Sequence, residues 1–313
     1  MWRKILTVVA VILLVAGLGF LLFPPISNFI GKQKAEASAD SFDKTASSVV
    51  EPVKTGDGSV IESAEDAVEY YRAAEAARKS GASEEDYSGD GYSYGGNTSD
   101  GVFYVYYYDD DGTEYSYYVD DDDRVIDAET DEPVIFQKDI TDLYNDSLAY
   151  NKMLLTGQGT AETIQFDREA FDVTDYNVYD YSFGYVTADS IGMRLPIFLG
   201  ASDSIMSYGA GHLYGTSLPI NSESENCALA GHTDYIGRIF FDNIRSLDIG
   251  DTVTVTNYWD TIDYKVIDYK VVSPDDFSDL VIQSGRQLLT LITCIYDGDG
   301  GFDRYLVICE HKK

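Results

Sequence analysis

The feature that most limits the folds open to this chain lies close to its C-terminus. Leu288-Leu289-Thr290-Leu291-Ile292-Thr293-Cys294 and Arg304-Tyr305-Leu306-Val307-Ile308-Cys309 are short runs rich in Leu, Ile, Val and Thr. Runs of this length and composition read as β-strands. Between them, Ile295 to Asp303 is dense in Asp and Gly, residues that tolerate left-handed backbone angles and so favour turns. Paired as a hairpin, the first strand ends at Cys294 and the second opens at Arg304. The two side chains then stand side by side at one edge of a sheet. A guanidinium beside a thiol favours the thiolate and raises its reactivity.

A thiol nucleophile needs a group that takes and gives a proton near neutral pH, and histidine is the usual one. Ala228-Leu229-Ala230-Gly231-His232 reads as a short strand ending in such a residue. A Cys and a His far apart in sequence and brought together by the fold are the general pattern of thiol catalysis. Each residue also has a plainer reading. A Cys inside an apolar strand is usually a small buried hydrophobe, which suits Cys227 and Cys309. Arg304 has Asp297, Asp299 and Asp303 near it for weak surface pairing. His212, in a Gly-rich stretch, reads as a hydrogen-bonding loop residue, and His311 as a solvated tail residue.

The chain has 313 residues and a formal net charge of -32. That length holds a full β-domain plus a second module. So large an excess of acid excludes nucleic acid as a partner, because phosphate binding needs basic patches. With Tyr 26 and Phe 14, the composition leans to β-structure. Cys 3 is an odd count, so at least one thiol stays unpaired within the chain.

Met1-Trp2-Arg3-Lys4 opens the chain, and Ile5 to Phe23 is uncharged and mostly apolar. That run has the length of a spanning helix and exceeds a signal-peptide core. Arg3 and Lys4 favour a cytoplasmic N-terminus. The expected organisation is an anchor over 1–31, a stalk over 32–60, an acidic Tyr-rich module over 61–135 and a β-domain over 139–313. The stalk is rich in Ala, Ser and Lys with little periodicity. In the module, Ser63 to Asp66 caps a helix reaching Lys79. Ser80 to Asp100 reads as loop. Strands follow at Val102–Tyr108, Thr113–Val119 and Arg124–Asp127, joined by Asp-rich turns. Clustered Asp oxygens suit a hard cation such as calcium; they also suit solvated turns, which is the favoured reading.

Three stretches carry a family resemblance. Thr290-Leu291-Ile292-Thr293-Cys294 followed by Arg304 resembles the sortase signature TLxTC…R. Leu229-Ala230-Gly231-His232 resembles the histidine element of that family. Gly209 to Ile220 is similar to the stretch preceding it in class A and class C sortases. The elements come in the family's order, and the resemblance runs from about Leu143 onward. It implies a mainly β fold, a closed barrel of eight strands with short helices. It implies His232, Cys294 and Arg304 as catalytic residues, with Thr293, Ser217 and Leu218 touching substrate, and no metal or organic cofactor.

The implied activity is that of a membrane-anchored, extracellular cysteine transpeptidase. Its partners would be proteins with LPXTG-like C-terminal sorting signals and an amine acceptor, either a pilin lysine or a peptidoglycan peptide. Class C enzymes carry an Asp-Pro-aromatic lid where this chain has Thr156 to Asp180. Here Phe166-Asp167 and Phe171-Asp172 come nearest, and neither has the proline. An open site is therefore expected. The missing lid motif, and the absence of a second apolar segment after the last strand, favour a housekeeping, wall-attaching role. The overall pattern favours the pilin type. A surface binding protein using the barrel as a scaffold is the third reading.

Overall fold

The computed structural model describes residues 2–56, 58–80, 94–98, 101–157, 163–178, 181–238 and 240–312. It divides into two compact units. One comprises Met1–Asp40, Tyr150–Phe171 and Ser182–Lys313, the other Ser41–Ala149 with Asp172–Tyr181.

Helix α1 runs without a break over Trp2–Ser47. Its first part is long and apolar enough to cross a membrane. The stalk expected beyond residue 31 is instead more of the same helix. Its buried face there is built from Ala35, Ala39 and Phe42, with Gly31 half-buried. The alanines pack closely, and one phenylalanine beside them is too little to mark an apolar stripe.

In the acidic unit, β1 (Val53–Lys54), β2 (Val60–Ile61), β3 (Tyr94–Asn97), β4 (Phe103–Tyr108), β5 (Glu114–Val119) and β6 (Val125–Asp127) form one six-stranded sheet. Strands β1 to β3 fall where stalk and loop were expected; most of the rest of Ser80 to Asp100 lies outside the described residues. Helix α2 (Ala64–Lys79) starts at Ser63, whose side chain accepts from the Asp66 N–H while Asp66 reaches back to the cap. This reciprocal capping satisfies N–H groups that the first helical turn leaves unpaired. β4 alternates buried and half-buried residues, so one face meets the core. Tyr107 and Tyr117 lie on that buried face with ring centroids 5.1 Å apart. Part of the tyrosine content is therefore core rather than exposed aromatic surface. The Asp turns are spent on backbone: Asp120 accepts from the Asp122 and Arg124 N–H groups, each at 2.9 Å.

Helix α3 (Gln137–Gly157) follows. The division between units falls inside it, so the β-domain boundary expected at residue 139 moves to Tyr150.

The barrel strands are β7 (Ser182–Ala188), β8 (Met193–Leu199), β9 (Ala210–His212), β10 (Glu225–Ala230), β11 (Thr252–Thr256), β12 (Thr261–Val272), β13 (Gln287–Tyr296) and β14 (Phe302–His311). They close in the order β10-β13-β14-β12-β11-β7-β8-β9. Two ladders are parallel, β10 with β13 and β8 with β9; the rest are antiparallel. Closure removes the sheet's free edges. The interior is filled by inward residues such as Leu229, Leu291, Val307 and Ile197, all fully buried. His212 ends β9 rather than lying in a loop. Its Nε2 contacts the Ser217 carbonyl at 3.0 Å, and burial pushes its pKa down to about 4, so it is a neutral structural residue. His311 is likewise within β14, paired with Gln287 rather than in a tail.

Candidate active site

The β13–β14 hairpin sets the first two residues of the site. Their antiparallel register pairs Cys294 directly with Arg304. The hairpin is longer than the sequence implied: Ile295 pairs with Asp303 and Tyr296 with Phe302 beyond that point. Asp297 closes the turn by accepting from the Asp299 and Gly301 N–H groups at 2.8 and 3.0 Å. Arg304 donates to the carbonyls of Phe302 and Asp303 at 3.2 and 3.4 Å. Among the described residues it makes no ion pair with a carboxylate, so its positive charge faces the site unspent.

The third residue comes from β10. This strand runs parallel to β13 with Ala230 opposite Ile292, and the Gly231 N–H donates to the Ile292 carbonyl at 3.1 Å. Continuing that register brings His232 level with Cys294. The Thr293 hydroxyl donates to the Gly231 carbonyl at 2.8 Å, tying the two strand ends together. Gly231 has to be glycine, because a Cβ there would lie 2.6 Å from the buried Phe241 ring. The His232 ring stacks on Tyr235, with centroids 5.2 Å apart and planes 23° from parallel. Its Nε2 is buried without a hydrogen-bond partner among the described residues.

Cys294, His232 and Arg304 line one cleft of about 510 Å³. All three are half-buried, so reagents reach them and water is partly excluded. The other two cysteines differ. Cys227 and Cys309 are fully buried, and burial raises both thiols, Cys309 to about 12. They stay protonated and inert.

Of the expected substrate contacts, Thr293 lines the cleft with its hydroxyl already committed to Gly231. Ser217 and Leu218 are fully buried and do not line it. The Ser217 hydroxyl accepts from the Asn226 N–H at 3.1 Å, and the Leu218 carbonyl and N–H both pair with the Asn151 side chain. Their polar groups hold the barrel end rather than a ligand.

The sequence also left part of the cleft wall unread. Phe166, Asp167 and the Ser202–Ser204 turn contribute to it. The Phe166 carbonyl accepts from the Ala201 N–H at 2.8 Å, and its ring packs 6.1 Å from Phe277. Of the segment read for a lid motif, residues 158–162 and 179–180 lie outside the described residues; Phe166 and Asp167 form a wall beside a site that remains partly exposed.

Comparison with known proteins agrees with this geometry. Residues 186–312 match the family profile described as "Sortase domain". The pilus-related sortase C of Group B Streptococcus is 32% identical, over 56% of this chain and 91% of that one, with a TM-score of 0.50. Sortase C1 of GBS pilus island 1 is 25% identical, over 56% of this chain and 90% of that one, with a TM-score of 0.51. Sortase A of Bacillus anthracis is 27% identical over 124 residues, 40% of this chain and 57% of that protein. Sortase D of Bacillus subtilis (strain 168) is 27% identical over 111 residues, and there the match spans 53% of the relative. The chain thus spans little more than half the length of the curated relatives it matches. A closed β-barrel carrying a thiol, an imidazole and a guanidinium in one cleft defines the class, and the chain belongs to the sortase family.

Proposed function

We propose that this chain is a cysteine transpeptidase that cuts an LPXTG-like sorting signal and passes the acyl group to an amine. The observation that carries the reading is the convergence of Cys294, Arg304 and His232 from three neighbouring strands onto one cleft. The Cys294 thiolate attacks the carbonyl carbon of the signal's Thr. The C–N bond to the next residue breaks as the Sγ–C bond remains, and His232 gives its proton to the leaving amine. The Arg304 guanidinium stabilises the oxyanion of the tetrahedral intermediate. An incoming amine loses a proton to His232 and attacks the thioester, and the thiolate leaves. No step calls on a metal or organic cofactor.

The acceptor we favour is a lysine on a pilin subunit, supported by the likeness to class C enzymes. A peptidoglycan amine is the second reading, supported by the missing Asp-Pro-aromatic sequence between Thr156 and Asp180. The apolar start of α1 anchors the protein by a single pass, with the barrel outside the membrane. The test incubates the full chain in detergent with an LPXTG peptide, alone and with a pilin lysine peptide or a cross-bridge peptide. Mass spectrometry should find the peptide's N-terminal part on Cys294 and then on one acceptor. No thioester under any condition would leave the scaffold reading standing.

A further inference from the structure

His232 has an unusual support. A catalytic imidazole is normally oriented by a hydrogen bond to a third group. Here Nε2 is buried with no hydrogen-bond partner among the described residues, and the ring stacks on Tyr235. Tyr235 is 53% exposed, so its own position depends on the turn that carries it. That turn is closed by the Arg238 N–H donating to the Tyr235 carbonyl at 2.8 Å, with the Arg238 guanidinium 5.1 Å from the Tyr235 ring centroid.

The same turn is held from outside by α1. The Gly237 N–H donates to Asn28 Oδ1 at 2.6 Å. A Cβ on Gly31 would lie 2.1 Å from the Gly237 carbonyl oxygen, and a Cβ on Gly237 2.7 Å from Ser27 Oγ. Gly237 also has a φ of +82°, which strains any other residue. Helix and turn therefore meet backbone to backbone at two glycines, sealed by one amide. Further along, Arg194 pairs with Asp40, and Ala35 and Ala39 are buried. These contacts keep the helix docked independently of Asn28. Asn28 stands five residues after Phe23, an axial rise of about 8 Å. The contact is thus beyond the run that ends at Phe23 and at the far end of the anchor expected over 1–31.

We propose that Ser27, Asn28 and Gly31 of α1 form a positioning element for the active site. They fix the 233–238 turn, the turn fixes Tyr235, and Tyr235 orients the His232 ring toward Cys294. The segment joining anchor to barrel is thereby part of the catalytic apparatus. This rests on the reading of His232 and Cys294 as a catalytic pair.

The experiment needs no substrate. Full-length protein in detergent is treated with iodoacetamide across a pH series, and the rate of Cys294 alkylation is read by mass spectrometry. His232→Ala sets the profile of a thiol without its base. Asn28→Ala and Gly31→Leu should move the wild-type profile toward that one, with a rate change of roughly tenfold near neutral pH. Asn28→Asp, which keeps the acceptor oxygen, should restore it. Tyr235→Phe should behave as wild type and Tyr235→Ala as Asn28→Ala, and Asn28→Ala combined with Tyr235→Ala should be no worse than either alone. If Gly31→Leu fails to fold, Asn28→Ala decides. A wild-type profile in Asn28→Ala, with His232→Ala clearly altered, overturns the proposal. A wild-type profile in His232→Ala removes the catalytic pair on which it rests.

Discussion

The β4–β5 hairpin of the acidic unit and the β13–β14 hairpin of the barrel close with the same turn chemistry. Asp109 accepts from the Asp111 and Thr113 N–H groups at 3.0 and 2.7 Å, much as Asp297 accepts from Asp299 and Gly301. Their strands differ. β4 alternates buried and half-buried residues, whereas β13 is buried at every position from Gln287 to Thr293. From Cys294 onward that burial ends. Turn chemistry marks where a chain reverses. Burial along the strand decides whether it covers one face of a sheet or walls a closed barrel, and where along it a side chain can react. Cys294 stands at the rim, where the packed interior gives way to the cleft.

The strongest challenge to this contrast is Cys294→Ala. It should abolish thioester formation and leave the fold intact, while Cys227→Ala and Cys309→Ala remain active. Product from Cys294→Ala, followed by chromatography, would place the reacting group elsewhere. Next comes Arg304→Lys. The charge stays, but the fixed fork of donors is lost, so the acylation rate should fall by about 100-fold. Near-normal turnover would show that charge alone matters at that rim position.

Tyr107→Ala probes the other hairpin. Its ring is buried between Tyr70 and Tyr117, so the acidic unit should lose about 3–5 kcal/mol. Peptide cleavage by the barrel should not change. Calorimetry and a peptide assay on the same preparation check both halves; a parallel loss of cleavage would mean the two units are not separable in function.

The smallest effect concerns Glu225, in the barrel strand that leads to His232. Burial raises its carboxyl to about 7, from an ordinary value of 4.5. The unfolded chain releases this proton first, so the native state holds the extra proton between those values. Its stabilising contribution is full below the ordinary value and is lost as pH rises through the folded one. The melting temperature of wild type relative to Glu225→Gln should therefore fall from about pH 5 to pH 8. His212 titrates in both proteins and cancels in that difference. A constant difference across the range would show that Glu225 ionises normally.

The barrel hairpin was legible because its residues are apolar, β-branched and bounded by Asp and Gly, and because its Cys and Arg fall at matching positions. The strand to His232 was legible mainly through the family resemblance of Leu229-Ala230-Gly231-His232, since it holds no β-branched residue. Other parts were not. β1 and β2 are two residues each, too short for any alternation to show. The helix beyond residue 31 buries Ala35, Ala39 and a single large residue, Phe42, too sparse a pattern to read as a helix face. Ser217 and Leu218 sit in a stretch similar to the family's, yet Leu218 is held by Asn151, 67 residues earlier, a partner no local pattern reveals. The support of His232 by Tyr235 depends on a turn whose shape is set by a helix some 200 residues earlier, with the Asn28–Gly237 bond spanning 209.

The parallel ladder between β10 and β13 also governs timing. The bond from Thr293 to Gly231 spans 62 residues, and parallel neighbours need a crossover, here the one carrying β11 and β12. Contacts of such long sequence separation are slow to form, because the loop must be closed before they give any return. His232 therefore reaches Cys294 only when that seam has zipped. A chain stalled before that step holds Cys294 without His232 beside it. The proposed catalytic set is assembled by completion of the barrel, not by any one hairpin.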